Sequence, residues 1–473
     1  MESRKAINIK QPVTVPAKCK EIGRYLYNEI AGASVYRGQE SASAPWRVSP
    51  QPFHISPELY SELQMLGEIL LSFYKACNKF YYDSVRGLSP AWVAEYADKG
   101  KPEEIIRQGI CKRFRPSLPA VIRPDLILTE EGYIICELDS LPGGMGMTAA
   151  MTEAYVSAGW NGLELDIPGC FAAAVAPNKG TLAVVVSDES SDYQPEMDYL
   201  VSRISDLGYE AVCVSPHDVI IGNDEVRIRD GRRIDNIYRF FELFDLDNVG
   251  GGRDMIQAAS LGKIAMTPPP KAFIEEKLWL ALLHHPLLER YWRSNLDDYE
   301  LMKRIIPQGW VLDGRPLPPN AIIPELNIGN CPINDWSQLG NASQKERRLV
   351  LKPSGFSPLA WGSRGLHIGH DMPAVEWTAA LQMAASGWEQ ELYILQRFHQ
   401  GKRFNLSYYS PSDDKIKQMD ARVRLCPYYF VINGRAVLGG IMATACSLEK
   451  KALHGMPEAI IAPAFVEGER SDA

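Results

Sequence analysis

The 473-residue chain has no Cys-x-x-Cys pair and no two histidines at metal-ligand spacing, which argues against a zinc module or a dithiol redox centre. Its nine cysteines (19, 77, 111, 136, 170, 213, 331, 426 and 446) are scattered, and reduced, mostly buried thiols are expected. His284 and His285 are adjacent in a Leu-rich, helix-like segment and face different ways, which reads as packing or surface rather than ligation. No apolar run is long enough to span a bilayer, and the opening Met-Glu-Ser-Arg-Lys lacks the apolar core of a signal peptide. A cytoplasmic location without membrane contact is the expectation. Clustered lysine and arginine are missing beyond short runs such as Lys345-Glu-Arg-Arg348, and with a net charge of -8 this argues against a nucleic-acid partner. Repeats and low-complexity tracts are absent too. What is there is 46% hydrophobic and 23% charged, the balance of a soluble globular enzyme, in a chain long enough for two or three lobes with a site between them.

The most informative stretch runs from Arg123 to Thr148. An apolar run carrying Asp125, a Glu-Glu-Gly turn and a second apolar run ending in Glu137 and Asp139 predict a β-hairpin with acids on adjacent strands. Glu137 and Asp139 are two apart and share a strand face. Three converging carboxylates repel, so magnesium is the expected neutralising cation. The plainer alternative is an exposed hairpin with ordinary surface acids. Pro142-Gly-Gly follows directly and weighs against it.

Before this hairpin, Cys19 to Ile30, Pro57 to Lys79, Pro90 to Tyr96 and Pro102 to Gln108 show helical spacing. After it, Thr181–Asp188 reads as a buried strand, Glu196–Leu207 as an amphipathic helix and Tyr209–Ser215 as a second strand, a β-α-β succession that implies parallel pairing. A hairpin around Asp230-Gly231 and another inner strand follow. Further on, a strand delivers Lys352, and Gly355, Gly362, Ser363 and Gly365 then make a small-residue loop whose N–H groups can reach phosphate oxygens. Strand rather than helix comes next, so this is neither a Walker loop nor a dinucleotide fingerprint. Arg422 and Arg424 stand on a later hairpin strand, where exposed, alternating arginines are the plainer reading.

These phrases, in this order, resemble the circularly permuted ATP-grasp family, in particular the synthetase domain of glutathionylspermidine synthetase. The resemblance implies an α/β (α+β) ATP-grasp fold with a Rossmann-like pre-ATP-grasp lobe and an N-terminal helical region. The implied divisions are 1–115 (helical), 116–175 (metal-binding hairpin), 176–270 (Rossmann-like lobe) and 271–473 (lysines, phosphate loop and adenine hinge). The same resemblance implies Asp125, Glu137 and Asp139 as magnesium ligands, Lys277 and Lys352 on the polyphosphate, and Leu395, Gln396 and Phe398 at the adenine hinge. Arg123 would steady a tetrahedral oxyanion, one of Arg422 or Arg424 would reach the transferred phosphate, and Asp235 and Arg239 are further candidates. Asp139 stands where the family has Asn, and Gln396 where it commonly has an acid. The implied activity is an ATP-dependent, ADP-forming carboxylate–amine ligase working through an acyl phosphate, with ATP and Mg2+ and small acid and amine substrates, a peptide or polyamine among them. The competing reading is a non-catalytic nucleotide-binding or regulatory protein of the same fold.

Overall fold

The structure, a computed structural model, describes residues 16–36, 46–161, 165–453 and 458–467. Two tight turns build the sheet that carries the site. Between strands Val121–Thr129 and Gly132–Asp139 the chain reverses over Glu130 and Glu131, with Gly132 at φ 133. Between Lys415–Ile432 and Arg435–Ser447 the loop is Asn433-Gly434, at φ 51 and 80, the paired left-handed residues of a type I′ hairpin.

The resulting seven-stranded sheet runs in the order Phe53–Ile55, Ile460–Val466, Arg435–Ser447, Lys415–Ile432, Val121–Thr129, Gly132–Asp139, with Arg403–Ser410 also paired to Lys415–Ile432. Phe53–Ile55 joins parallel, and the remaining pairs are antiparallel. Helix Pro57–Val85 packs against the Arg435–Ser447 strand. It starts where Ser56 accepts from the Leu59 N–H and Pro57 occupies the first turn, a position whose N–H would go unused. Its buried Leu59, Leu63, Leu66, Leu70, Phe73 and Phe80 recur at helical spacing, and each contributes about 1.5–3 kcal/mol by leaving water.

The β-α-β reading corresponds to a four-stranded parallel sheet, Ala265–Thr267, Asn236–Phe240, Leu182–Val186, Ala211–Val214, with helix Gln194–Asp206 packed beside it. A second four-stranded sheet is antiparallel, in the order Gly309–Leu312, Tyr393–Arg397, Leu349–Pro353, His367–Ile368. The chain is thus a mixed α/β protein. Of the nine cysteines four are buried, four half-buried, and Cys331 is exposed. His284 is buried and its Nε2 bonds to the Ile306 carbonyl at 3.0 Å, while His285 lies against Trp92. Among the described residues no helix is long and apolar enough to cross a membrane.

Candidate functional site

The register of the acid hairpin fixes which side chains meet. Asp125 pairs with Glu137 and Arg123 with Asp139, and the ladder then slips at Asp125/Leu126, leaving Cys136 as the extra residue. That bulge shifts the alternation of its own strand, so Ile134 lines the same cavity as the acids, as does Ile127, two residues from Asp125.

Each carboxylate has a protein cation beside it. Arg123 lies 3.2 Å from Asp125 and 3.0 Å from Asp139, and donates to the Gly143 carbonyl at 3.2 Å. Arg424 donates to Asp125 Oδ2 at 2.7 Å, and Lys277 lies 2.9 Å from Glu137. Burial opposes ionisation of Glu137, but the two lysines beside it, Lys277 above all, outweigh burial and hold its pKa below the ordinary value. Asp139 goes the other way: burial pushes its pKa up, and Arg123 only partly offsets this. The chain itself also brings counter-charges to these acids, one of them from 299 residues away. As magnesium ligands, the three acids are not equivalent. Asp125 has Oδ2 bonded to Arg424, and its Oδ1 lies 3.2 Å from Arg123 Nε and accepts from Cys426 Sγ at 3.4 Å, which leaves no oxygen open. Glu137 and Asp139 keep about a third of their side chains exposed, 35% and 30%, and supply the hard oxygen donors such a cation takes. Among the described residues no three His, Cys, Asp or Glu side chains are gathered as a metal centre.

Opposite the hairpin stands the strand Leu349–Pro353. Lys352 Nζ donates to the Cys136 carbonyl at 2.7 Å and to Gln396 Oε1 at 2.9 Å, and burial lowers its pKa. Lys277 precedes the helix Leu278–Leu282 and reaches the Ala360 carbonyl at 3.4 Å. Glu276, next to Lys277 in the chain, forms an ion pair with Lys101, both side chains 1% exposed, and accepts the Gly355 N–H at 3.0 Å. The hairpin, both lysines, Gln396, Phe398, Arg364 and Arg424 surround one cavity of about 500 Å3. Val350, Ile368, Phe398, Ile127 and Ile134 make up part of its apolar lining.

Other residues singled out in the sequence stand elsewhere. A Cβ on Gly355 would meet the Glu275 carbonyl at 2.1 Å, so glycine there serves a close backbone approach, and its N–H is already bonded. The Gly365 N–H is likewise taken, by the Leu359 carbonyl at 2.9 Å, although its neighbours Arg364 and Leu366 line the cavity. Gly362 and Ser363 belong to the short 3-10 helix Pro358–Ser363, and the Ser363 side chain lies outside the described residues. Leu395 is fully buried on a strand paired along both edges, so its backbone has no free edge for a ligand. Arg239 is sealed within the parallel sheet, bonded to Glu275 and to the carbonyls of Phe241 and Pro268, and Asp235 accepts the Thr181 N–H at 3.2 Å. Neither lines the cavity. The reading of Arg422 and Arg424 as exposed is corrected: Arg422 is buried and donates to the Leu448 carbonyl, and Arg424 faces the cavity.

One wall was not foreseen. Glu189, Asp192, Tyr193, Glu196, Phe240 and Glu242 line the cavity from the parallel-sheet side. Glu196 is 3% exposed and accepts the N–H groups of Gly144 (2.7 Å) and Met147 (3.2 Å) at the start of helix Met145–Ser157, where Gly144 adopts φ 91. Burial raises its pKa to about 7. The sequence carried a signal for it: an acid on the apolar stripe Met197, Leu200, Val201, Ile204.

No family model matches the chain, and no curated protein matches it. Solved structures do. A glutathione synthetase-like effector from Globodera pallida, in its apo form, superposes with a TM-score of 0.59 at 12% identity, covering 98% of this chain and 100% of that one. The fold is glutathione synthetase-like. A putative gamma-glutamylcysteine synthetase from Methylobacillus flagellatus KT overlaps more loosely, with a TM-score of 0.40 at 11% identity over 84% of this chain and 87% of that one. The fold likeness spans nearly the whole chain.

Proposed function

We propose that this chain is an ATP-dependent carboxylate–amine ligase similar to the synthetase part of glutathionylspermidine synthetase, with its ATP-grasp elements in circularly permuted order. The observation that carries the reading is the meeting of hairpin and lysines around one cavity: Lys277 is 2.9 Å from Glu137, and Lys352 is bonded to Cys136 of the same strand. ATP would enter with its polyphosphate toward Lys277 and Lys352, whose mobile point charges suit a phosphoryl group that moves. Glu137 and Asp139 would hold magnesium, which neutralises polyphosphate charge when bound. A substrate carboxylate attacks the γ-phosphate and gives an acyl phosphate and ADP, with the lysines offsetting charge in a loose transition state. The amine then attacks the acyl carbon, and phosphate leaves to give the amide. Arg123, held between Asp125 and Asp139, is the cation for the oxyanion of that second step. Arg424 rather than Arg422 is the arginine for the transferred phosphate. Asp125, with both oxygens in use, acts as the anchor of these two arginines.

The test is amine-dependent release of ADP from metabolite mixtures with mass-spectrometric search for new amides, repeated in Lys352→Ala and Asp125→Ala. Purified protein that neither binds ATP nor protects residues 352–365 from hydrogen exchange on its addition would refute the reading. A second reading, a non-catalytic nucleotide-binding protein of this fold, is favoured by the engagement of Asp125 in two ion pairs. Tight ATP binding without turnover on a broad panel of acids and amines would select it.

A further inference from the structure

A pair of sealed charges stands behind the cavity wall. Lys101 lies in the turn between helices Ala91–Asp98 and Glu103–Gly109, in the helical stretch before the acid hairpin, and is not among the residues that line the cavity. That turn is seated by close contact: Gly100 adopts φ 72, a Cβ there would meet the Gln390 carbonyl at 2.0 Å, and Lys99 pairs with Glu389 at 2.8 Å. From it Lys101 Nζ pairs with Glu276 Oε1, and neither side chain is open to solvent. The other carboxylate oxygen, Oε2, accepts the N–H of Gly355, three residues beyond Lys352. The same short segment touches that loop twice more. The Glu275 carbonyl closes against Gly355, and Lys277 Nζ reaches the Ala360 carbonyl. Residues 275–277 thus hold the loop at its start and in its middle, and Leu359, Ala360 and Arg364 of that loop line the cavity. Burying two charges is costly, and apolar side chains of similar volume often serve stability as well. What an apolar pair cannot supply is an acceptor for the Gly355 N–H, and Lys101 is the counter-charge that lets a carboxylate stand there.

We propose that Glu276 is a positioning residue for the phosphates of the nucleotide: held by Lys101, it sets the loop 354–365 against Lys277 without touching the ligand. The inference rests on the nucleotide-dependent reading above and extends it to residues outside the cavity. The test compares two variants matched in charge and side-chain length. Lys101→Met/Glu276→Gln keeps an oxygen for the Gly355 N–H, and Lys101→Met/Glu276→Met removes it. Dissociation constants for ATP, with magnesium, are measured by calorimetry on the full chain, below the melting transition of both. The second variant is expected to bind ATP about tenfold or more weakly than the first. A pair that served cohesion alone would shift melting and leave the two affinities alike. A ratio below tenfold overturns the proposal and leaves the ligase reading standing. If either variant shows no cooperative melting transition, hydrogen exchange on the wild type decides. ATP is expected to slow exchange at residues 99–103 as well as at 354–365, because what steadies the loop steadies the turn bonded to it through Glu276. Unchanged exchange at 99–103 overturns the proposal. A wild type that binds no ATP overturns both readings together.

Discussion

Two buried lysines, Lys271 and Lys352, show what separates charge that holds a fold together from charge that waits for a ligand. Lys271 is fully buried and its Nζ donates to Asn78 Oδ1 (2.8 Å) and to the carbonyls of Arg115 (3.1 Å) and Ser117 (2.7 Å). An ammonium has three donors, and all three are used. Burial pushes its pKa down to about 7, and it touches no cavity wall. Lys352 is almost as buried and burial lowers its pKa as well, but only two of its donors find acceptors among the described residues, and it faces the cavity. The difference lies in the count of unfilled donors and the direction they point, not in depth.

The comparison can be broken in order of expected effect. Lys352→Ala should lower ATP-dependent turnover about 100- to 1,000-fold in a steady-state ADP-release assay, as the loss of one charge-stabilising donor does, with a smaller stability loss than Lys271→Met because two acceptors rather than three lose their donor. Lys271→Met should do the reverse: three acceptors lose their donor, and chemical denaturation should report a loss of about 3 kcal/mol with nucleotide affinity unchanged at temperatures where the variant stays folded. If both variants lose stability equally and keep the same affinity, the distinction between the two lysines fails.

Glu196 sharpens the contrast, because it lines the cavity yet spends its oxygens on a helix start. Its pKa of about 7 in the fold lies above the ordinary value of 4.5. The folded state thus holds a proton that the unfolded state has released, and the stabilisation this gives is complete below pH 4.5 and is lost as pH rises through 7. Denaturant melts of wild type against Glu196→Gln should show the wild type's relative stability falling by on the order of 2 kcal/mol between pH 4.5 and 7.5. A gap that stays flat across this range would mean that folding does not shift the carboxylate's pKa.

Much of the fold is written in short-range signals. The acid hairpin follows from two apolar runs about a tight turn, the parallel sheet from strand, amphipathic helix and strand, and the long helix from Ser56-Pro57 and a leucine stripe. The meeting of Glu137 with Lys277 and of Cys136 with Lys352 followed from a resemblance, since periodicity cannot pair strands so far apart. What stayed hidden has two physical causes. The slip at Asp125/Leu126 turns Ile134 inward, and no composition rule marks a single extra residue. The counter-charges come from distant elements: Arg424 reaches Asp125, and Lys101 reaches Glu276 across 175 positions, so the local pattern showed acids without what neutralises them. Leu395 and Arg239, which a motif had made conspicuous, lie fully buried away from the cavity lining.

The parallel pairing of Phe53–Ile55 with Ile460–Val466 ties an early segment to a late one at the outer margin of the large sheet. During synthesis the Arg435–Ser447 strand must wait, with one side unpaired, until residue 466 has left the ribosome, and Phe53–Ile55 has waited since an early stage of that same process. A nascent chain of this kind carries open strand edges for most of its translation, where the pull toward sticking to its neighbours is strongest. Chaperone dependence, and aggregation of any product that stops short of residue 458, are the cellular consequences written into that one seam.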